Sequence, residues 1–141
     1  MRTPEELADL FRSRGLKMTP QRESIFRVLH GNPVHPTAES VYAESRRDMP
    51  MLSLKTVYQT LNDLADMGEI RQLDLGTGSS RFDPNVEHQH HHLVCNQCGK
   101  VRDLYVPIDV SIPLAEQQGF AVASTEVTFR GICPDCGPDA A

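Results

Sequence analysis

Apolar residues recur at helical spacing through the first 68 positions of the chain, and the period then changes. Leu7, Leu10 and Phe11 share one helical face behind Thr3-Pro4-Glu5-Glu6, a start signal with acid in the first turn, and Gly15 marks the stop. Thr19-Pro20 opens a second helix with Ile25, Val28 and Leu29 on its buried face, ended by Gly31-Asn32-Pro33. Thr37 caps a third, whose inner face is Ala38, Val41, Tyr42 and Ser45. After the break at Asp48-Met49-Pro50, Ser53 caps a fourth with Leu54, Val57, Leu61 and Leu64 spaced to one side, and Gly68 suits the left-handed residue beyond its end. From Glu69 to Leu75 the pattern alternates, Gly76-Thr77-Gly78-Ser79-Ser80 is a turn, and Arg81-Phe82-Asp83 returns.

Helices followed by a hairpin, with the last helix polar on one side, is the order of a winged helix-turn-helix. The recognition helix is then 53–67 and the wing 69–83. The outer face of that helix carries Lys55, Thr56, Tyr58, Gln59 and Asn62, side chains able to meet base edges in a major groove. Tyr58 and Gln59 are expected at bases, and Lys17 and Arg22, around the basic turn before the second helix, at the sugar-phosphate backbone.

Asp83-Pro84-Asn85 reads as a boundary, dividing the chain into 1–83, the DNA-binding domain, and 84–141. The second part predicts a strand over 88–94, another over 100–105, a helix over 108–118 interrupted by Pro113, and a long strand over 120–129. It is short for an independent core, so a metal and a second copy of the chain are expected to complete it. The expected class is α+β: an N-terminal winged helix-turn-helix domain followed by a small α/β dimerisation and metal-binding domain with a structural zinc site.

Composition narrows the context. The chain has 141 residues, 39% hydrophobic and 23% charged, ordinary for a globular protein. No apolar run approaches a membrane span, and the opening segment carries Glu5, Glu6 and Asp9 with no apolar stretch, so no membrane and a cytoplasmic location are expected. The net charge of −5 does not suggest a nucleic-acid partner, but its distribution does: residues 1–83 hold 11 basic and 12 acidic side chains, residues 84–141 only 3 and 7. The cations sit almost entirely in the N-terminal part, the part expected to bind DNA.

All four cysteines fall in two C-x-x-C pairs, Cys95/Cys98 and Cys133/Cys136, each followed by glycine. Two such knuckles supply four thiolates to one tetrahedral Zn²⁺ with no open position, a structural rather than catalytic site. A redox dithiol is the competing reading, but neither pair opens a helical pattern. Four of six histidines crowd into 88–92; on a strand, His88, His90 and His92 share one face, which suggests a second metal site that Asp83 and Asp103 can complete.

Taken in order, Leu16-Lys17-Met18-Thr19-Pro20-Gln21-Arg22, His35-Pro36-Thr37-Ala38, Ser53 through Leu61, Arg81-Phe82-Asp83, and the histidine cluster running into Cys95-Asn96-Gln97-Cys98-Gly99-Lys100 resemble the ferric uptake regulator family over nearly the whole chain. The resemblance implies a metal-dependent repressor that binds double-stranded operator DNA as a homodimer. It implies a regulatory site for Fe²⁺ or Mn²⁺ made of His35, Asp83, His90, His92 and Asp103. Aspartate at position 83 looks like the peroxide-sensing branch, where iron-sensing members usually place glutamate. Gln59 replaces an arginine found in many members, and Gln89 a histidine of an additional site. An all-nitrogen set of His35, His88, His90 and His92, as in nickel-sensing relatives, and an iron-level sensor are the alternatives within the family. A metal-dependent hydrolase is the alternative outside it; five ligands leave little room for substrate, and no H-E-x-x-H pattern is present.

Overall fold

The computed structural model describes residues 1–137. The chain divides into two units, Met1–His88 and Gln89–Ala141. Among the described residues, no helix is long and apolar enough to cross a membrane.

The first unit comprises α1 (Pro4–Ser13), α2 (Pro20–Leu29), α3 (Ala38–Ser45) and α4 (Leu54–Asp66), followed by a hairpin of β1 (Arg71–Leu73) and β2 (Arg81–Asp83). Each helix starts where a hydroxyl meets an unpaired amide: Thr3, Thr19, Thr37 and Ser53 accept from the N–H three residues on. At α1 the exchange is reciprocal, with the Glu6 carboxylate accepting from the Thr3 backbone N–H. The buried faces then meet in one core, in which Phe11 and Phe26 pack edge to face and Val41, Val57, Leu61, Leu64 and Phe82 are sealed from solvent. A short bridge from Thr37 to Arg81, and a hydrogen bond from the Phe82 N–H to the Pro36 carbonyl at 2.9 Å, add the α2–α3 connection to the hairpin as a third extended segment.

The second unit is a three-stranded sheet, β3 (His91–Cys95), β4 (Val101–Leu104) and β5 (Thr128–Gly131), in the order β4-β3-β5. β3 and β4 are antiparallel neighbours, with His92 opposite Asp103; β5 runs parallel to β3, with His92 beside Thr128 and Cys95 beside Gly131.

Three expectations for this unit change. The helix expected over 108–118 is a single 3-10 turn, Leu114–Glu116: Pro113 stands at its start, and a proline there and at 107 denies the backbone N–H groups that a longer helix needs. The strand expected over 120–129 pairs only from Thr128 to Gly131. Phe120, 75% exposed, and Val122 keep the alternating pattern of a strand but meet no neighbouring strand among the described residues. The histidine strand begins at His91 rather than 88, which leaves His88 exposed in the preceding turn.

Candidate metal centres and nucleic-acid interface

The cysteines sit where two strand ends meet. β3 terminates at Cys95, and the chain turns through Asn96-Gln97-Cys98 to Gly99, whose φ of +73° is the left-handed conformation a side chain would resist. The Gly99 N–H donates to the Cys95 carbonyl at 2.9 Å and closes this knuckle. β5 delivers the second knuckle beside it: the Asn96 N–H donates to the Gly131 carbonyl at 2.8 Å and the Cys133 N–H to Cys95 Sγ at 3.3 Å. No disulfide joins the four thiols, and their sulfurs lie within 4.8 Å of one another, with Cys98 and Cys133 at 3.7 Å. Sulfurs about 2.3 Å from a tetrahedral zinc ion stand about 3.8 Å apart, so the residues present fit that ion. The cluster is also electrostatically uneven. The Cys133 and Cys98 backbone N–H groups hold the Cys95 thiol down at about 6, whereas sharing protons with the Cys98 and Cys133 sulfurs pushes Cys136 up to about 12.

Each unit also carries a partial set of nitrogen and oxygen donors. In the first, His35 follows Val34 with a φ of +52°, and the bridge from Thr37 to β2 brings it beside Asp83, the last residue of that strand. Both side chains are 1% exposed, and His35 Nε2 stands 3.4 Å from Asp83 Oδ2. The Nδ1 atom of His35 lies 3.2 Å from the Pro33 carbonyl, which can only accept, so Nδ1 donates there and Nε2 is the ring atom that faces the carboxylate. Nε2 and the carboxylate oxygen are both atoms able to ligate a metal ion, and they face one another in a buried site. Ligand atoms at roughly 2.1 Å from a common ion stand about 3.0–3.4 Å apart, the separation seen here. The Arg81 guanidinium donates to the His35 carbonyl at 3.2 Å and holds this strained residue from behind.

In the second unit, His90, just before β3, and His92 within it bring their rings to 4.9 Å, and cross-strand register places Asp103 opposite His92. Asp103 Oδ1 is 3.5 Å from His90 Nε2 and 3.9 Å from His92 Nε2. The Tyr105 hydroxyl donates to the other carboxylate oxygen at 3.0 Å and orients it. His91 faces away: its Nδ1 accepts the Val127 N–H at 3.2 Å and helps to fasten the run into β5. His88, exposed before the strand, offers no support to the all-nitrogen set.

The outward face of α4 presents Lys55, Tyr58, Gln59 and Asn62 to solvent, whereas the Thr56 hydroxyl lies 2.9 Å from Ser53 Oγ within the helix cap. Lys17 is exposed in the turn between α1 and α2. Arg22, expected at the sugar-phosphate backbone, is committed inside the unit instead. Its side chain is only 11% exposed, it donates to the Lys17 carbonyl at 2.7 Å and to Asp63 at 3.2 Å, and it lies over the Phe11 ring. A guanidinium so engaged braces the turn that carries Lys17. Two residues beyond the sequence expectation belong to this description: Glu39, which accepts from the Tyr58 hydroxyl at 2.7 Å, and Tyr105.

Residues 13–130 match the family model described as Ferric uptake regulator family. Over 134 residues the chain is 36% identical to the peroxide-responsive repressor PerR of Staphylococcus saprophyticus, covering 94% of this chain and 90% of that protein. Among solved structures, it is similar to a zinc-bound manganese uptake regulator, with 31% identity, a TM-score of 0.72, and 94% and 99% of the two chains covered. It is also similar to a structure on peroxide sensing and gene regulation by PerR from Streptococcus pyogenes, with 30% identity, a TM-score of 0.55, and 96% and 94% covered.

Proposed function

The chain belongs to the ferric uptake regulator family, a family of metal-dependent transcriptional repressors, and from that membership we propose that it represses from double-stranded operator DNA as a cytoplasmic homodimer and is inactivated by peroxide. It is a regulator of transcription and not an enzyme, which sets aside the hydrolase reading.

One observation carries the regulatory reading: each unit holds a buried imidazole–carboxylate set too small to be a complete site. We assign His35, Asp83, His90, His92 and Asp103 to one Fe²⁺ or Mn²⁺, and Cys95, Cys98, Cys133 and Cys136 to Zn²⁺. Three nitrogens and two carboxylates form a shell that suits either regulatory metal and is formally neutral with it. Sharing these ligands between the units restricts the freedom of α4, and in a dimer this sets the spacing of two recognition helices against half-sites one helical turn apart. The homodimer is supported by the apolar side chains that the second unit leaves exposed, Leu114 at 84% and Phe129 on the edge strand β5 among them.

Bound Fe²⁺ supplies the reduction of hydrogen peroxide next to oxidisable imidazoles, chemistry that Mn²⁺ lacks. Overall, a ligand histidine gains one oxygen from peroxide, and the second oxygen leaves as water. His35 and His90 are the expected targets. Brief peroxide treatment of the iron-loaded chain, followed by peptide mass spectrometry, should add one oxygen to a peptide containing one of them and leave the manganese-loaded chain unchanged. Equal oxidation in both forms, or none with iron, would return the reading to metal-level sensing, which the similarity to a manganese uptake regulator also supports.

For the DNA face, Tyr58 and Gln59 are assigned to bases, Lys55 and Lys17 to the backbone, and Arg22 to the support of Lys17. Gln59→Ala should lose about 1–3 kcal/mol of discrimination at one base pair. Lys17→Ala should instead weaken binding to all duplexes and flatten its salt dependence, both read by titration at several salt concentrations.

A further inference from the structure

Tyr58 is the one aromatic side chain on the outward face of α4, and its hydroxyl is already engaged: it donates to Glu39 Oε1 at 2.7 Å, across to the first turn of α3. Both residues are exposed, so the contact is not forced by burial. The carboxylate is held ionised below its ordinary range, first by the Tyr58 hydroxyl and then by its own backbone N–H, and the phenol is raised above its ordinary range by the same bond.

A tyrosine hydroxyl has one hydrogen and two lone pairs. With the hydrogen spent on Glu39, only lone pairs remain for DNA, and a phosphate, which has no donor to offer, cannot pair with them. The major-groove groups that can are the exocyclic amino groups of adenine and cytosine. The ionised carboxylate beside the hydroxyl adds repulsion toward any phosphate that approaches without the matching base.

We propose that Glu39 is a specificity-determining positioning residue that makes Tyr58 an obligate acceptor, so that the pair reads an amino group at one base pair of each half-site and disfavours non-specific duplex. This rests on the assignment of α4 to the major groove.

The test uses the full-length, zinc-replete, manganese-loaded chain and a random-sequence duplex library. Sequences enriched by the wild-type chain are then titrated, with all single base-pair variants and the unselected library, against Glu39→Ala, Glu39→Gln, Tyr58→Phe and the Glu39→Ala/Tyr58→Phe pair. Glu39→Ala and Tyr58→Phe should lose preference at the same base pair, about three- to tenfold each, the scale of one hydrogen bond, and the double variant should lose no more. Glu39→Gln keeps a carbonyl that accepts the hydroxyl, so it should retain the preference while binding the unselected library more tightly than wild type does. A wild-type preference profile in Glu39→Ala, or losses that add to those of Tyr58→Phe at a different base pair, would overturn the proposal alone. Enrichment of no sequence by the wild-type chain would overturn the repressor reading and this proposal with it.

Discussion

His35→Ala is expected to abolish manganese-dependent duplex binding while leaving one zinc per chain in place. The imidazole is proposed as a regulatory ligand from the first unit, and without it the donors in that unit reduce to Asp83. At a metal concentration 100 times its dissociation constant, binding contributes about 2.7 kcal/mol to the competent state. Withdrawing that contribution lowers duplex affinity by at most about 100-fold. Because His35 has a φ of +52°, alanine also strains the backbone there. His35→Asn separates the two effects, since asparagine tolerates the left-handed region; it should fold as wild type does and still lose the response to added manganese. Equilibrium dialysis gives the metal stoichiometry and fluorescence anisotropy the duplex affinity. Wild-type values of both in His35→Asn would remove His35 from the ligand set.

Cys133→Ser should act on the other half of the molecule. Its N–H donates to Cys95 Sγ, and its own sulfur lies 3.7 Å from Cys98, so losing it opens the tetrahedron at the join between β3 and β5. Structural zinc contributes roughly 10–16 kcal/mol to small folded units, as much as the whole stability of many domains. Zinc content should therefore fall from one per chain to near zero and the dimer should dissociate, read by metal analysis and sedimentation, while the four helices of the first unit keep their circular dichroism. Full zinc occupancy with an unchanged dimer would reject the four-thiolate assignment.

The helices of the first unit were legible because each one states its start and its buried face locally: Thr3, Thr19, Thr37 and Ser53 cap within three residues, and Val57, Leu61 and Leu64 repeat at helical spacing. The cysteine knuckles were legible because ligand spacing survives in any backbone that joins them. Segments 108–118 and 120–127 misled because they carry apolar periodicity with no surface in the described chain to receive it; Phe120 and Val122 alternate as a strand does, yet no strand lies beside them. Arg22 departs from its expected backbone contact, and Glu39 carried no sequence expectation at all, for another reason. Each lies near residues read as DNA contacts, but its role is set by a partner distant in sequence, Asp63 for Arg22 and Tyr58 for Glu39. No local pattern announces such a contact, and a solvated face and a hydrogen-bonded one are written in the same residue types.

The parallel pairing of β3 with β5 has a consequence for how the molecule is made. The helices of the first unit need only contacts within its own 88 residues, so the DNA-reading part can fold soon after it leaves the ribosome. The sheet of the second unit cannot close until Thr128–Gly131 has emerged, and its two knuckles hold together a loop that spans everything between Gly99 and Ile132. Closing so long a parallel connection is slow, and the second pair of sulfurs that fastens it, Cys133 and Cys136, is synthesised only after the whole connection. Each new chain therefore passes through an interval in which α4 is folded but its regulatory half is not. Zinc held by the two knuckles is expected to shorten that interval by stabilising the closed sheet, and the half that pairs two chains is completed after the half that reads DNA.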